Sequence, residues 1–357
     1  ATLLLALLAT ATTVSLEAQD WPSFRGADAL PIADDDPRLP LTWSTTENVV
    51  WKTPIDGLGW SSPVVWGNRI FVTTVVSDGE SQEPRMGLYF PFGSPQSTDD
   101  GRFPEPGPGD LMEREEDVHH WLVYALDFDT GQVVWTSEVD TGAPQFDRHL
   151  KNTYASATPV TDGERVYAYF GSHGLYCLDT SGNVIWKKMF KPYKMRNAWG
   201  TGASPVLDGD QLIIVNDNEE ESWVAAFDKL TGRELWKTKR DEPSNWATPF
   251  VWKHVGRKEL VLSGRRRTRS YDLSGKELWG FQWKTKTSIV IPTPFAAHGL
   301  RGKLPENLLN AFQTGVSYQL WHPMALIGVA LLLLRSPEST LLKVTGVLFA
   351  VGILLFS

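Results

Sequence analysis

Between residues 157 and 188 short apolar runs alternate with turn residues. Val166 to Phe170, Leu175 to Leu178 and Val184 to Trp186 are each only three to five residues long, and Asp, Ser and Gly separate them. Runs this short, rich in β-branched and aromatic residues, predict strands rather than helices. We read four in this unit: an opener at Thr158-Pro159-Val160, then 165–170, 174–179 and 184–187. The Asp179-to-Gly182 element predicts a tight turn, because Gly accepts a positive φ and Asp bonds nearby backbone.

The unit repeats. Gly131 precedes Trp135 by four residues, and the same spacing joins Gly182 to Trp186, Gly232 to Trp236 and Gly275 to Trp279. Openers recur as Ser62-Pro63-Val64, Thr158-Pro159-Val160, Ser204-Pro205-Val206, Thr248-Pro249-Phe250 and Thr293-Pro294-Phe295, the last four prolines at intervals of 46, 44 and 45 residues. Four strands per period of this size predict the blades of a β-propeller. The Trp falls on the outermost strand, where its face wedges against the neighbouring blade. The fold class is therefore all-β, with about four blades over 20–296.

Other segments depart from the period. Residues 77–118, with Pro84, Pro91, Pro95, Pro104, Pro106 and Pro108, read as an exposed insertion between the second and third strands of the first blade. Asn48 to Lys52 reads as the fourth strand of a blade whose other three strands are missing, so the ring is predicted to be incomplete. One candidate partner strand, around Ile291 to Phe295, comes before the composition changes.

After His298 the apolar period becomes helical. Leu304 to Gln319 predicts an amphipathic helix, and Met324 to Leu334 and Leu341 to Phe356 are two nearly uncharged runs joined by a short polar link. We expect a partial helical membrane domain with two spans over 297–357. Arg335 and Lys343 would then lie on the cytoplasmic side. At the other end, Leu3 to Leu8 followed by small residues reads as a truncated signal peptide over 1–18. Together these place the chain in a membrane, with the propeller on the periplasmic or extracellular side.

Composition narrows the partners. A formal charge of -8 offers no basic footprint for nucleic acid. The single cysteine, Cys177, excludes an internal disulfide framework, a Cys-x-x-Cys-His haem site and a Cys-rich zinc site.

Asp20-Trp21-Pro22-Ser23-Phe24-Arg25-Gly26, Lys151-Asn152-Thr153-Tyr154-Ala155-Ser156 and Ser244-Asn245-Trp246-Ala247-Thr248-Pro249, with the repeated register, carry a family resemblance. Over about residues 20 to 297 the chain resembles the pyrroloquinoline-quinone-like, or quinoprotein-like, propeller repeats. Rings in that family have about seven or eight blades. The tail, through Ala297-His298-Gly299-Leu300, Phe312-Gln313-Thr314-Gly315-Val316 and Gly352 to Ser357, resembles small bacterial membrane proteins of unknown function akin to the transmembrane protein 256 family. That family's pattern normally includes one further helix on each side. Two partial families meeting near Pro294 predict a fusion of two truncated genes.

Candidate chemistry is sparse. His119 and His120 are adjacent and face opposite sides of a strand, and His149, His173 and His254 stand alone, so we expect surface or turn roles and no metal centre. His322, beside Pro323, falls in the membrane segment, where a polar residue is costly. Asn216 to Glu221 lacks calcium-loop spacing and reads as a solvated turn, as do Arg265, Arg266 and Arg267 with Arg269. Residues just before each opener should converge on the central channel: Asn152, Tyr154, Arg196, Trp199, Asn245 and Trp246. They could hold a planar or anionic small ligand, or a partner protein.

The resemblance implies two activities. One is a noncatalytic binding or scaffold module, similar to the propellers that assist outer-membrane protein assembly. The other is a quinone-dependent dehydrogenase, in which calcium polarises pyrroloquinoline quinone and an Asp acts as base. With no adjacent Cys pair, no haem motif and few blades, the first is favoured, with no cofactor. A third reading makes the propeller fragment a passenger on a membrane protein of unknown function.

Overall fold

The computed structural model describes residues 20–27, 40, 42–80, 90–91, 111–112, 115–254 and 256–282. All belong to one of two compact units, Ala1–Pro84 with Tyr89–Pro292. The expected signal peptide, the Ile291–Phe295 strand, most of the 77–118 insertion, the two expected spans and His322 lie outside the described residues. No helix among the described residues is long and apolar enough to cross a membrane.

Four four-stranded antiparallel sheets follow one another along the chain. The first blade comprises β1 (Val64–Trp66), β2 (Arg69–Ser77), β5 (His119–Asp127) and β6 (Val133–Gly142), with β3 (Phe90–Pro91) and β4 (Leu111–Met112) pairing in parallel inside the insertion. The second comprises β7 (Val160–Thr161), β8 (Arg165–Tyr169), β9 (Leu175–Asp179) and β10 (Val184–Lys188). Then come β11 (Val206–Asp208), β12 (Gln211–Asn216), β13 (Ser222–Asp228) and β14 (Glu234–Arg240), and finally β15 (Phe250–His254), β16 (Arg257–Ser263), β17 (Arg267–Tyr271) and β18 (Glu277–Gln282). The strands expected at 165–170, 174–179 and 184–187 each form within one residue of those limits, and the insertion joins the second and third strands as expected.

The core lies between blades. Phe71, Trp121 and Val123 of the first blade pack on Val166, Ala168 and Tyr176 of the second. Tyr167, Tyr169 and Leu175 then meet Leu212, Trp223 and Phe227 of the third, and Ile213, Val215 and Val224 meet Leu260, Leu262 and Tyr271 of the fourth. Each sheet is thus covered on both faces where it has neighbours, which is why its inner strands are almost continuously apolar.

The Gly-x-x-x-Trp spacing serves two interfaces at once. The turn glycines have positive φ (69° at Gly131, 88° at Gly182, 69° at Gly232 and 85° at Gly275), as a tight turn requires. Each also lies under a Trp of the preceding unit: Trp51 over Gly131, Trp135 over Gly182, Trp186 over Gly232 and Trp236 over Gly275. A methyl at Gly232 would sit 2.7 Å from the Trp186 ring. The Trp four residues downstream then covers the next blade's turn. Its indole N–H donates to that turn's backbone at Phe128 (2.9 Å), Thr180 (2.9 Å) and Lys229 (3.1 Å) for Trp51, Trp135 and Trp186.

A bulge precedes each Trp on the outer strand. The pairing shifts so that Val134, Ile185, Leu235 and Leu278 have no partner in the ladder, while the Trp beside each pairs with Ala125, Cys177, Ala226 or Ser270. Bulges increase local twist and turn an edge away from further pairing. All four bulged aliphatics are exposed.

A second inter-blade device lies on the innermost strands. The Ser62 N–H donates to Thr158 Oγ1 (2.9 Å), Thr158 N–H to Ser204 Oγ (3.0 Å) and Ser204 N–H to Thr248 Oγ1 (3.0 Å). The openers therefore form a belt around the inner edge, and the hydroxyl before each proline is its acceptor.

One strand expectation is corrected. Residues 48–52 form no strand, although Trp51 covers Gly131 and Thr53 Oγ1 donates to Gly131 O at 2.5 Å. The wedge needs only the neighbouring turn, whereas a strand needs ladder partners, and none is present among the described residues.

Candidate functional site

Antiparallel order places the second-to-third-strand loops and the blade-to-blade connectors on one face of the blades. Three connectors, 143–159, 189–205 and 241–249, carry all six channel candidates. Asn152, Trp199 and Trp246 form one string of contacts, and Arg196 and Asn245 are each bonded to a residue outside the set. The Asn152 amide donates to Trp199 O (2.7 Å) and Thr201 O (3.1 Å), and its oxygen accepts from Ser156 Oγ (2.5 Å) and Thr153 N–H (2.9 Å). The Trp199 and Trp246 rings lie 5.9 Å apart, and the Trp246 indole donates to Gly200 O (2.7 Å). Arg196 N–H donates to Ser244 Oγ (2.8 Å), and Asn245 Nδ2 donates to Ser263 O (2.6 Å).

These groups mainly lock one connector to the next. The Arg196 side chain is different: half-exposed, its guanidinium makes no hydrogen bond among the described residues. Beside it Asn197 and Ala198 hold φ of 49° and 52°, a left-handed conformation that costs non-glycine residues of order 1–3 kcal/mol each. Strand β3 of the insertion lies next to this turn. Backbone strain of this kind is maintained only where surrounding contacts over-determine it.

Tyr154 is separate from the string. Its ring meets His119 edge-on at 5.4 Å and the Arg148 guanidinium at 5.4 Å. Arg148 bonds Glu115 Oε1 (2.5 Å) and Asn152 O (2.8 Å), tying the insertion's stem to the first connector. Burial pushes the Glu115 carboxyl up, but His119 and Arg148 outweigh it and hold the group below the usual carboxylate range. A cavity of about 240 Å³ opens here, lined by Gly57, Leu58, Ser77, His119, Arg148 and Tyr154 among others. Spacing could not reveal this cluster, because the insertion stem and the first connector meet only in space.

The histidines and arginines correct the surface expectation. His119, His149 and His173 are buried. His173 stacks on Trp121 at 3.7 Å, bonds Asp140 through Nδ1 (3.0 Å) and accepts the Gln145 N–H through Nε2 (3.2 Å). That acceptor role assigns the proton to Nδ1, so neither nitrogen is poised as a base. Burial lowers the His173 pKa, and burial with Lys151 and Arg148 nearby lowers that of His149 to about 3.

Asn216, Asp217 and Asn218 are buried too, as are Arg265 and Arg269. Between the third and fourth blades Arg240 pairs with Asp217 through two bonds (2.7 and 3.1 Å) and reaches Tyr271 Oη (2.8 Å). Arg269 contacts Asp241 and Glu242, while Glu242 accepts the Arg266 and Arg267 N–H groups (2.7 and 3.1 Å). Charge runs that look solvated in sequence thus close a buried network. Only 219–221 and Arg266 in these runs are exposed.

The four-stranded blades and their tryptophan wedges have the architecture of β-propeller blades. Residues 120–289 match the family model described as outer membrane protein assembly factor BamB, and residues 293–357 match a protein family of unknown function, DUF423. The tail is 40% identical over 63 residues to the UPF0382 membrane protein YwdK of Bacillus subtilis and 43% identical over 63 residues to a UPF0382 membrane protein of Haemophilus influenzae. Those stretches cover 18% of this chain and 51% and 49% of the relatives, so the chain spans about half the length of the curated relatives it matches. Among solved structures, BamB from Moraxella catarrhalis aligns with a TM-score of 0.32 and 18% identity, over 48% of this chain and 50% of that one. Quinohemoprotein alcohol dehydrogenase from Comamonas testosteroni aligns with a TM-score of 0.32 and 18% identity, over 46% and 33%. The chain thus joins BamB-like propeller repeats to a segment similar to membrane proteins, as both sequence resemblances implied.

Proposed function

We propose that this chain is an exported, membrane-anchored propeller whose loop face works as a noncatalytic binding or scaffold surface. One observation carries the reading. The connectors are locked to one another by the Asn152 and Trp246 bonds and by the Arg196 N–H to Ser244 Oγ bond, while the Arg196 guanidinium makes no hydrogen bond among the described residues. A rigid frame presenting a cation suits recognition, because little freedom is lost when a partner docks. The partner is a protein or small ligand at the channel mouth, and the C-terminal helices supply the membrane attachment.

The quinone alternative fits the described residues poorly. Calcium takes six to eight oxygens, and no group of three His, Cys, Asp or Glu side chains among the described residues is arranged to hold a metal ion. The Asn152 amide, a natural candidate to hold such a group, is fully engaged by its own loop and the next.

A photocrosslinking side chain at position 196 of the full chain, in native envelopes, tests the reading. The expected result is a discrete adduct that is absent when the crosslinker is placed at Val134 on the rim. Reduction of a redox dye by purified full chain with pyrroloquinoline quinone, calcium and an alcohol or sugar would establish the dehydrogenase instead.

A further inference from the structure

A groove runs down the outer rim between the second and third blades. Its floor is aromatic: Phe190, on the connector after β10, packs on Trp223 at 5.5 Å and Phe227 at 5.9 Å. Lys188 Nζ lies 5.1 Å over the Phe227 ring from one wall, and Lys237 Nζ lies 4.8 Å over Trp223 from the other. Lys239 shares the Lys237 side of β14 by two-residue alternation.

None of the three lysines forms an ion pair among the described residues, and Glu234 is the one carboxylate on β10 and β14. Exposed aliphatics adjoin them: Ile185 and Leu235 at the bulges. In a chain of net charge -8, this combination of unpaired cations and exposed apolar side chains is out of character.

We propose that this groove is a docking surface for the anionic headgroups of a lipid bilayer. The proposal rests on the reading that the C-terminal segment is a membrane anchor. Ten residues separate Gln282 from the start of the match to the membrane-protein family at 293. At about 3.5 Å per residue they span at most about 35 Å, so an inserted tail confines the blades to a thin layer above the bilayer. At that range weak contacts suffice, because tethering replaces encounter with a high local concentration. An acidic body is repelled by an anionic surface, so the basic groove is the part that turns toward it. Lysine stems on an aromatic floor, with ammonium groups outward and aliphatics beside them, match the boundary between headgroups and acyl chains.

The test uses the full chain carrying Ile185→Cys, an exposed position beside the groove, labelled with a polarity-sensitive dye. Cys177 is buried, with its thiol pushed up to about 12, and stays unlabelled. The chain is placed in discs of phosphatidylcholine alone or with about one third phosphatidylglycerol. The expected result is a blue-shifted emission, quenched by spin-labelled lipid, in the anionic discs only. Salt abolishes it, and Lys188→Gln with Lys237→Gln and Lys239→Gln weakens it by roughly a hundredfold.

Identical emission in both discs, or no change in the triple variant with its circular dichroism intact, overturns the proposal. So does a response to soluble polyglutamate with none to lipid, which would assign the groove to an acidic polypeptide. A chain that fails to stay with neutral discs disproves the anchor alone. Flotation of that chain with anionic vesicles then decides the groove: lysine-dependent flotation sustains it and no flotation overturns it.

Discussion

The interface between the second and third blades and that between the third and fourth are built on the same glycine and tryptophan and both have an apolar core, yet the second also buries a network of charges. Above Gly232 the first of these is a stack of Tyr167, Tyr169, Trp223 and Phe227. Above Gly275 the second buries Arg240, Asp217, Glu242 and Arg269 against Tyr271. The repeat prescribes the wedge but not what fills the space above it. Apolar filling tolerates loss of one member, whereas a buried ion network is stable only when complete.

Asp217→Ala should therefore have the largest effect, about 3–5 kcal/mol, because it strands the Arg240 charge in the interior. Denaturant unfolding of the full chain in detergent measures it. Asp217→Leu combined with Arg240→Met should recover most of that loss, and failure to do so would mean the network does more than satisfy itself.

Removing the wedge should divide the blades differently. Trp186→Ala is expected to cost about 3 kcal/mol, because the ring covers Gly232 and joins two blades. Trp279→Ala should cost about 1 kcal/mol, since its indole bonds Glu259 within its own blade (2.7 Å). Equal losses would contradict the assignment of this residue to an inter-blade role.

Gly232→Ala and Gly209→Ala separate conformation from contact. Both positions have positive φ, 69° and 59°, but a methyl at Gly209 meets nothing within 4 Å. We expect about 1 kcal/mol at Gly209 from backbone strain alone and about 2–3 kcal/mol at Gly232, where the Trp186 ring must also shift.

The pH dependence is spread over several units rather than concentrated in one substitution. With its pKa lowered from 6.5 to about 3, His149 stays neutral in the folded chain while the unfolded chain binds a proton below 6.5. Its contribution is complete above pH 6.5 and is lost as pH falls toward 3, by at most about 1.4 kcal/mol per unit. Glu242 works in the opposite sense: burial raises its pKa, so protonation on passing down through the folded value favours the folded state. His149→Gln should flatten the acid limb of stability measured by urea titration at stepped pH. An unchanged slope would assign that limb to carboxylates such as Glu115 and Asp241, whose pKa values are lowered.

Much of the fold was legible because its signals are local. A turn glycine with a tryptophan four residues on, and a hydroxyl before an opener proline, are short patterns, and repetition made them stand out. The register of the outer strands was not legible, since the bulge at Ile185 or Leu235 shows only in the pairing. Asn152, Arg196, Trp199, Asn245 and Trp246 could be placed on successive connectors because the openers repeat. Glu115, Arg148 and His119 were missed, as residues from an insertion stem, a connector and a strand come together only in space.

By itself the sequence determined the blades, their order and the wedge between them, because each needs only a few neighbouring residues and one repeated turn. Tertiary structure alone decided which charges are buried. Asp217 and Arg269 lie in runs that any local reading assigns to solvent, and only the arrival of the adjacent blade, with Arg240, Tyr271 and Glu242, removes the water and replaces it with partners.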